Sequence, residues 1–429
     1  MSMKVQVSEI SLDLVGRNIV TAGWVLEKRD LGKIKFLLIS DRDNTVQVTW
    51  KSEHGDTGLK AVIDSLRQND VIKVDGEVVK SNVARSGIEI VPQSIEILNR
   101  CTHPLPIDIT GRIKSGLSTR LDYRPLDIVR DEFRHIFIIK SDVLRLIRDF
   151  FYGQGFVEVI TPRIIVSATE GGANLFKVDY FGKVAYLAQS PQLYKEQLTL
   201  SLKRVFEIGT FFRAEPFDTN KHLNEFTSVD IECAFCDMHD VMKIAEDMIR
   251  FVVNKLKEVS QNKLNILKAR LPDVDREFTR VTYRDLLNRM RKAGLDVKEG
   301  EDISSDRMRS LLDEFSGFYF ITEWPESTKP FYIKTGKDGM TQSFDLMYRD
   351  LELGSGGTRE ERKSILIENI KKRHLDIKSF ESHLKIFDYG IPPHAGWGIG
   401  LDRLMMAILG LENIRETVLY PRDRFRLEP

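Results

Sequence analysis

A long, charged hairpin is predicted between two strand-like segments of the sequence, VFEIGTFFR and FTSVDIECAF. Residues 211–226, FFRAEPFDTNKHLNEF, carry Arg213 and Glu215 directly after an apolar run, and Lys221 and His222 in the polar loop. Connections between strands usually need only about two to five residues. The length and the cationic residues of this hairpin therefore predict contact with an anionic ligand.

A second segment that could bind a ligand is GWGIGLDRLMMAILG. Its glycines, Gly396, Gly398 and Gly400, precede a predicted helix that begins near Asp402 and Arg403. Glycine lets the backbone approach a ligand closely, and an arginine at a helix start can cover a phosphate or a flat ring. Taken singly, a glycine run is common in loops and an Arg-x-Glu pair is common on surfaces, so only the combination is informative.

Strands and helices must hold these two segments together. Apolar residues lie on one helical face before the predicted strand GFVEVITPRII, which ends at Pro162; they are Val143, Leu144, Ile147, Phe150 and Phe151. Strands and helices then mix without regular βαβ alternation. We therefore predict an α+β domain, an antiparallel sheet flanked by helices, over residues 131–429, with an insertion at about 260–335.

The first hundred residues have a different pattern. Residues 17–97 read as three short strands, a helix and two further strands, which predicts a five-stranded OB-type β-barrel, although any small β-domain is an alternative. We assign residues 1–103 to this domain. Residues 104–130 are basic and are broken by prolines and glycines, so they are predicted to be a linker or hinge.

Composition excludes several classes of protein. The 429 residues contain 64 Lys and Arg against 64 Asp and Glu, so a nucleic-acid-binding protein of the strongly basic kind is excluded. Any nucleic acid would be held by local basic patches and by stacking. Three cysteines, Cys101, Cys233 and Cys236, are too few for a disulfide framework, and CAFC is interpreted as packing rather than a metal or redox site. Without a signal peptide or a long apolar run, we expect a cytoplasmic protein with neither membrane nor DNA as partner.

Taken together and in order, the motifs resemble those of class II aminoacyl-tRNA synthetases over essentially the whole chain. GFVEVITP with Pro162 is similar to motif 1, FRAE through NEF to motif 2, and GIGLDR with Arg403 to motif 3. TEGGANLF, QSPQLYKE and FDLMYRDLELGSGGTRE resemble segments of the archaeal and eukaryotic aspartyl type. The resemblance implies activation of L-aspartate by ATP, transfer to tRNA-Asp, and a homodimer.

The resemblance also implies site residues. Arg213, Glu352 and Arg403 would be catalytic. The aspartate site would comprise Glu170, Gln192, Lys195, Arg213, Ser355 and Arg359. The ATP site would comprise Arg213, Glu215, Lys221, His222, Leu223, Phe226, Glu352, Gly400, Leu401, Asp402 and Arg403. Mg²⁺ would be held by Glu352, Ser355 and Asp345.

Physical chemistry agrees with aspartate as the substrate. A buried substrate carboxylate needs cations, for which Lys195 and Arg359 are the candidates. A site for asparagine would need amide partners instead, because the neutral asparagine side chain would leave a desolvated cation unpaired at a cost of several kcal/mol. Asparaginyl-tRNA synthetase is therefore a weaker alternative. A non-catalytic RNA-binding paralogue is disfavoured because the motif residues are present, and an asparagine-forming enzyme would not need the first domain.

In the first domain the resemblance implies an anticodon site of Arg29, Phe36, Gln47 and Glu77. Relatives that reject tRNA-Asn have a tryptophan after GWV and a lysine in the loop that follows GEVV, where this sequence has Leu26 and Val83. Neither side chain can hydrogen-bond to a base edge, so charging of tRNA-Asn as well as tRNA-Asp is predicted. A strictly discriminating enzyme is the alternative, in which Asn82 or Arg85 restores the distinction.

Overall fold

The computed structural model describes residues 2–54, 57–166 and 175–429. The chain divides into two compact units, Met1–Arg130 and Asp131–Pro429, so residues 104–130 group with the first unit. Each unit has its own hydrophobic core. Within the described ranges, no helix combines the length and the apolar character that crossing a membrane would require.

Over residues 18–99 the first unit has the predicted order of three strands, a helix and two strands, and a two-residue strand, Met3–Lys4, precedes them. Its strands are β1 (Met3–Lys4), β2 (Asn18–Asp30), β3 (Ile34–Ser40), β4 (Thr45–Lys51), β5 (Val71–Lys80) and β6 (Ile88–Asn99). Its helices are α1 (Thr57–Ser65), α2 (Leu117–Asp122) and α3 (Arg124–Asp127), with short 3₁₀ helices at Val7–Glu9, Leu12–Leu14 and Ser52–His54.

The strands of the first unit form a closed ring of pairings, since β2 pairs with both β3 and β5 while β4, β6 and β5 complete the circuit. Leu37 and Ile39 of β3 point into the core. Their neighbours Ile34, Phe36 and Leu38 lie half-buried on the outer face. An apolar outer face of this kind is available to unpaired bases.

The second unit contains the remaining elements. Its strands are β7 (Val157–Glu158), β8 (Ile164–Ile165), β9 (Lys177–Tyr180), β10 (Lys183–Leu187), β11 (Arg204–Phe212), β12 (Glu225–Ala234), β13 (Thr279–Thr282), β14 (Phe318–Thr322), β15 (Ser343–Tyr348), β16 (Leu351–Thr358) and β17 (His394–Gly400). Its helices are α4 (Asp131–Gly153), α5 (Gln192–Leu202), α6 (Met238–Val259), α7 (Gln261–Leu267), α8 (Tyr283–Lys292), α9 (Ser305–Arg309), α10 (Lys363–Lys372), α11 (Glu381–Ile386) and α12 (Leu401–Leu409), with 3₁₀ helices at Glu326–Thr328, Ile377–Phe380, Phe387–Tyr389 and Ile414–Thr417.

An eight-stranded sheet organises this unit, in the order β13-β14-β15-β16-β17-β12-β11-β7. Its central pairings are antiparallel, as predicted, and the two edge pairings, β13–β14 and β11–β7, are parallel. Helices α4, α6 and α12 share one apolar core with β12 and β17 on one face of the sheet. The α+β fold class is therefore confirmed.

Two segments differ from the prediction in detail. The strand predicted to end at Pro162 is much shorter, because only Val157–Glu158 pair with β11 and the N–H of Thr161 donates to the Glu207 side chain at 3.1 Å and so does not extend the pairing. The segment at 260–335 supplies β13 and β14, which continue the main sheet at one edge. It also has its own small core, which includes Tyr283, Leu287 and Trp324.

Candidate active site

A cavity of about 360 Å³ opens on the face of the sheet opposite the main helices. It brings together most of the residues predicted for ATP and aspartate: Gln192, Arg213, Glu215, Lys221, His222, Leu223, Phe226, Glu352, Ser355, Arg359, Gly400, Asp402 and Arg403. Lys195, Asp345 and Leu401 are not among its lining residues. Glu170 lies outside the described residues.

The base of the predicted hairpin is held by strand pairing. β11 and β12 are antiparallel neighbours, and the backbone N–H of Arg213 donates to the carbonyl of Asn224 at 2.9 Å. The guanidinium carbon of Arg213 lies 5.6 Å from the ring centre of Phe226. A cation and an aromatic face thus stand side by side in the cavity wall.

Arg403 lines the same cavity from the first turn of α12. Its Nε donates to the carbonyl of Lys221 at 3.2 Å, and its Nη1 donates to the carbonyl of Glu352 at 2.9 Å. Burial, followed by the charge of Arg403, lowers the pKa of His222. This shift favours the neutral imidazole, which can donate one hydrogen bond to an anion.

Leu401 and Asp402, which were predicted to bind ATP beside Arg403, have side chains that contact other parts of the protein. Leu401 is completely buried in the core. Asp402 reaches the cavity wall, but its Oδ1 pairs with Lys140 at 2.6 Å and its Oδ2 accepts from the backbone N–H of Thr227 at 3.0 Å. Because both oxygens are engaged, Asp402 fixes α12 against β12 in this structure.

A buried ion pair also belongs to the cavity wall. Arg359, which is 3% exposed, donates to Glu232 through Nε at 2.9 Å and to Oε1 of Gln192 through Nη2 at 3.3 Å. Burial alone would lower the pKa of Arg359, but the charge and hydrogen bond of Glu232 outweigh it and raise the pKa. A guanidinium is therefore held at the cavity wall in a fixed orientation.

Lys195 lies behind the wall rather than in it. Its ammonium group is 3.0 Å from Oδ1 of Asp230, 3.1 Å from the carbonyl of Trp397 and 3.5 Å from Oε2 of Glu232. Asp230, which the sequence analysis did not single out, separates Lys195 from the cavity and lines it. Asp230 and Glu232 therefore compensate the charge of Lys195 in this structure.

A signal for Asp230 and Glu232 was present in the sequence. In FTSVDIECAF, Val229 and Ile231 alternate with polar residues, and strand alternation places the polar set on the face opposite the core. Three polar residues on one face of a central strand are unusual without a ligand or a buried partner. Ser228 and Asp230 indeed line the cavity.

The glycines of GWGIG serve a purpose that was not predicted. They lie within β17, where Gly396 is opposite Glu232 and Gly398 is opposite Asp230. A Cβ on Gly396 would stand 2.3 Å from Oε2 of Glu232, and one on Gly398 would stand 2.8 Å from Oδ1 of Asp230. The missing side chains leave room for these two carboxylates.

The predicted Mg²⁺ ligands lie on β15 and β16. Glu352 and Ser355 are exposed and line the cavity, whereas Asp345 is buried and accepts from Lys329 at 2.5 Å. Burial raises the pKa of Asp345 to about 7; Lys329 opposes this rise and Glu352 adds to it. Two mutually repelling carboxylates and a hydroxyl are oxygen donors that suit Mg²⁺.

No cluster of three or more His, Cys, Asp or Glu side chains could hold a metal ion by itself in residues 2–54, 57–166 and 175–429. Mg²⁺ is commonly bound through one or two carboxylates together with substrate phosphates. Glu352, Ser355 and Asp345 fit that mode, in which the nucleotide completes the coordination.

The hairpin loop is tied to the segment at 412–424. The ties are Asn220 Nδ2 to the carbonyl of Glu412 at 2.7 Å, Ile414 N to the carbonyl of Asn220 at 2.8 Å, Arg415 Nη2 to Asp218 at 2.8 Å and Arg424 Nη1 to the carbonyl of Pro216 at 2.8 Å. Lys221 pairs with Asp350 at 2.8 Å, and Asp350 also accepts from Arg309 of α9 at 3.0 Å. The loop is therefore braced on two sides.

The CAFC cysteines lie at the end of β12. Cys233 is fully buried, and Cys236 is half-buried. The hydrogen bond to Cys236, together with burial, raises the pKa of the Cys233 thiol. Both cysteines are free thiols, and Cys233 belongs to the main core.

In the first unit, the predicted anticodon residues differ in their surroundings. Arg29 and Glu77 are exposed, and Phe36 is half-buried. The amide of Gln47 donates to Glu89 at 2.8 Å, so its orientation is fixed by a carboxylate that the sequence analysis missed.

The two predicted discrimination residues are apolar and accessible. Leu26 is half-buried, at a register shift between Val25 and Glu27 in β2. Val83 is 75% exposed in the loop between β5 and β6. Neither side chain carries a donor or an acceptor for a base.

Comparisons with known proteins agree with the geometry. A family model described as tRNA synthetases class II (D, K and N) matches residues 116–424. A second model, described as OB-fold nucleic acid binding domain, matches residues 19–98. Both predicted domains thus have a counterpart in a known family.

Curated relatives match almost the full chain. The aspartate--tRNA(Asp) ligase of Pyrobaculum aerophilum is 46% identical over 98% of both chains. The aspartate--tRNA(Asp/Asn) ligase of Methanopyrus kandleri is 44% identical over 98% of both chains. Among solved structures, asparaginyl-tRNA synthetase from Pyrococcus horikoshii with asparaginyl-adenylate has a TM-score of 0.91 at 30% identity, with both chains covered completely.

Proposed function

The chain belongs to the class II tRNA synthetases of the D, K and N group, as a relative of the archaeal aspartate–tRNA ligases, and from that membership we propose how its own residues act and which tRNAs they serve. Its overall activity is the ATP-dependent attachment of L-aspartate to tRNA. The observation that carries the residue assignments is that Arg213, Phe226, Arg403, Gln192 and Arg359 all line one cavity.

The first step needs no general base. The α-carboxylate of aspartate is ionised at pH 7, and its oxygen attacks the α-phosphorus of ATP in line while the bond to pyrophosphate breaks. Arg213 holds the α-phosphate, and adenine lies between Phe226 and Arg403. Glu215 accepts a hydrogen bond from the adenine amino group. In the second step, the terminal ribose hydroxyl of tRNA attacks the aspartyl carbonyl, and AMP leaves.

The hairpin loop binds the remaining phosphates. Lys221 exchanges its partner Asp350 for the β- and γ-phosphates, and neutral His222 donates to the same oxygens. Glu352 and Ser355 hold Mg²⁺, with Asp345 beside them. When bound, the ion offsets negative charge on the phosphate oxygens.

Substrate aspartate is recognised in the same cavity. Arg359 receives the side-chain carboxylate, and Lys195 supports the site by fixing Asp230, which lines the cavity. Gln192 orients the ammonium group, and the same role is proposed for Glu170. Pyrophosphate exchange with each amino acid offered separately tests the assignment. Exchange that depends on aspartate and not on asparagine is the expected result, and equal use of both would contradict it.

We also propose that tRNA-Asn is a substrate. The two anticodons differ only at the third base, and the apolar Leu26 and Val83 provide no hydrogen bond with which to read it. Losing one discriminating polar contact costs about 1–3 kcal/mol of specificity. Relatives with both kinds of tRNA specificity exist at similar identity, so the choice depends on a few residues.

Charging of the two transcripts with aspartate is expected to differ by less than about a hundredfold in efficiency, a gap of about 2.7 kcal/mol. Replacing both residues, Leu26→Trp with Val83→Lys, is expected to widen the gap in favour of tRNA-Asp. A larger gap in the unmodified enzyme would identify a discriminating enzyme, in which Asn82 or Arg85 makes the distinction.

Anticodon binding is assigned to the outer face of the ring. Phe36 stacks on a splayed base and Gln47 reads the central uridine, with Arg29 and Glu77 nearby. Stacking contributes about 1–3 kcal/mol per base, so Phe36→Ala is expected to lower aminoacylation by about tenfold while leaving pyrophosphate exchange unchanged. Ile34→Ala, on the same strand face, is the matched control. Equal loss of both activities in Phe36→Ala would mean that Phe36 supports only the fold.

We further propose a homodimer. Large apolar side chains are exposed around β8 and in the turn between β9 and β10, namely Ile160 at 91%, Val166 at 83% and Phe181 at 92%. A contiguous exposed apolar patch usually marks an interaction surface, and these residues are the candidates for one. The predicted motif 1 includes Ile160. Sedimentation equilibrium measures the assembly, and a mass of one chain at micromolar concentration would contradict it.

A further inference from the structure

Three charged side chains join the hairpin loop to the segment at 260–335. Lys221 belongs to the hairpin loop, Asp350 to the two-residue turn between β15 and β16, and Arg309 to the end of α9. Nζ of Lys221 donates to Oδ2 of Asp350 at 2.8 Å and to the backbone carbonyl of the same residue at 3.3 Å. Nε of Arg309 donates to the same Oδ2 at 3.0 Å. Two cations therefore share one carboxylate oxygen.

The three side chains differ in their exposure to solvent. The side chains of Lys221 and Asp350 are 15% and 20% exposed, whereas that of Arg309 is 57% exposed. Solvent and salt screen a partly buried ion pair less than an exposed one. The pair of Lys221 with Asp350 is therefore the stronger of the two, and Arg309 is the weaker partner of the same carboxylate.

Asp350 offers Lys221 the same kind of acceptor as a nucleotide does. A carboxylate and a terminal phosphate both present anionic oxygens to an ammonium group. Burial would raise the pKa of Asp350, but the hydrogen bonds from Lys221 and Arg309 outweigh burial and lower the pKa, so this acceptor is charged at pH 7. Lys221 lines the cavity, and Asp350 is not among its lining residues. Asp350 thus binds the lysine from outside the nucleotide site.

Arg309 opposes the pair of Lys221 with Asp350 in two ways. Its guanidinium competes for the same oxygen, and its positive charge repels the ammonium group. It also makes departure of the lysine less costly. When Lys221 turns to a phosphate, Asp350 keeps Arg309 as a partner and is not left as an unpaired charge.

We propose that Asp350 and Arg309 are positioning residues that set the affinity for ATP, because Asp350 competes with the β- and γ-phosphates for Lys221 and Arg309 weakens this competition. The inference rests on the proposed function of Lys221. It gives the segment at 260–335 a part in nucleotide binding, although Arg309 itself does not line the cavity. Since Asp350 acts before the chemical step, the KM for ATP should change and kcat should not.

The test measures kcat and the KM for ATP in pyrophosphate exchange. Asp350→Asn removes the competing charge, and asparagine suits a two-residue hairpin turn, so the KM should fall about threefold with the fold preserved. Arg309→Met leaves Lys221 as the sole cation on Asp350, so the KM should rise about twofold. In the double variant Arg309 has no carboxylate to relieve, and the KM should equal that of Asp350→Asn.

Two controls isolate the phosphates and the position on α9. AMP lacks the β- and γ-phosphates, so its affinity, measured by calorimetry, should be the same in all these variants. Arg307→Met removes the other arginine of α9, which pairs with Glu301 at 3.0 Å, and its KM for ATP should match the unmodified enzyme.

A higher KM for ATP in Asp350→Asn would overturn the inference, because it would show that the carboxylate presents Lys221 to the nucleotide. An unchanged KM in both single variants would equally overturn it. Lys221→Met tests the proposed function separately and should raise the KM for ATP about tenfold, as loss of a charged hydrogen bond does. An unchanged KM in Lys221→Met would contradict the phosphate-binding role of Lys221 itself, so the two failures are distinguishable.

Discussion

Replacing Arg359 by methionine is expected to lower kcat/KM for aspartate in pyrophosphate exchange by about 10³-fold. Removing one partner of a buried charge pair costs about 2–5 kcal/mol, partly because the other charge is left unpaired. Here Glu232 would lose its partner at 2.9 Å, and the aspartate side chain would lose its nearest proposed cation. The unmodified enzyme should prefer aspartate over asparagine by about 10⁴-fold, and the variant should lose most of this preference.

Two further variants separate recognition from folding. In Arg359→Met the buried Glu232 keeps only the more distant Lys195, at 3.5 Å, so Arg359→Met combined with Glu232→Gln should recover thermal stability without recovering aspartate activation. Arg284→Met removes an arginine that pairs only with exposed acids and should behave as the unmodified enzyme. Retention of full selectivity for aspartate in Arg359→Met would show that another residue binds the side-chain carboxylate.

Arg213→Ala is expected to lower aspartate-dependent pyrophosphate exchange by about 10²–10³-fold while the protein stays folded. One preorganised donor to charge that develops in a transition state contributes about 2.7–4 kcal/mol. Arg213 is a partly exposed residue at the base of the hairpin, so its loss leaves no cavity in the core. Thermal unfolding and circular dichroism should therefore be unchanged.

The control for Arg213 is Arg289→Ala, which removes an exposed arginine of α8 that pairs with Glu314. Its exchange rate should equal that of the unmodified enzyme. Exchange at the unmodified rate in Arg213→Ala would contradict the role of the hairpin in holding ATP. A loss of exchange accompanied by a lower unfolding temperature would indicate a structural role instead.

Local patterns explain why much of the fold was predictable. In the first unit the strands alternate over a few residues and are separated by turn residues, so their order follows from neighbouring positions alone. The pairing of β12 with β17 is different, because it joins residues far apart in sequence. Gly398 lies opposite Asp230 because of the register in which the two strands pair. That register cannot be predicted from the sequence of either strand alone.

The same distinction applies to the site. Arg213 and Phe226 could be predicted because the hairpin itself holds them together. The direction of a long side chain such as Lys195 depends on which partner is present, and Asp230 and the carbonyl of Trp397 direct it away from the cavity. Leu401 was predicted to bind ATP because it lies inside a motif, but its side chain is buried in the core.

The ties between the hairpin loop and the segment at 412–424 also have a consequence for biosynthesis. Asp218 and its partner Arg415 are separated by 197 positions, and Pro216 and Arg424 by 208. At about 5–20 residues per second, a ribosome needs about 10–40 seconds to make the missing partners after the loop itself has been made. During that interval the nascent chain has the hairpin residues proposed to touch ATP, but it lacks Glu352, Arg403 and the brace that holds the loop. We infer that nucleotide binding matures only once the segment at 412–424 has left the ribosome. The ATP affinity of ribosome-bound chains, extended by an unrelated linker after residue 411 or after residue 429, would measure this directly.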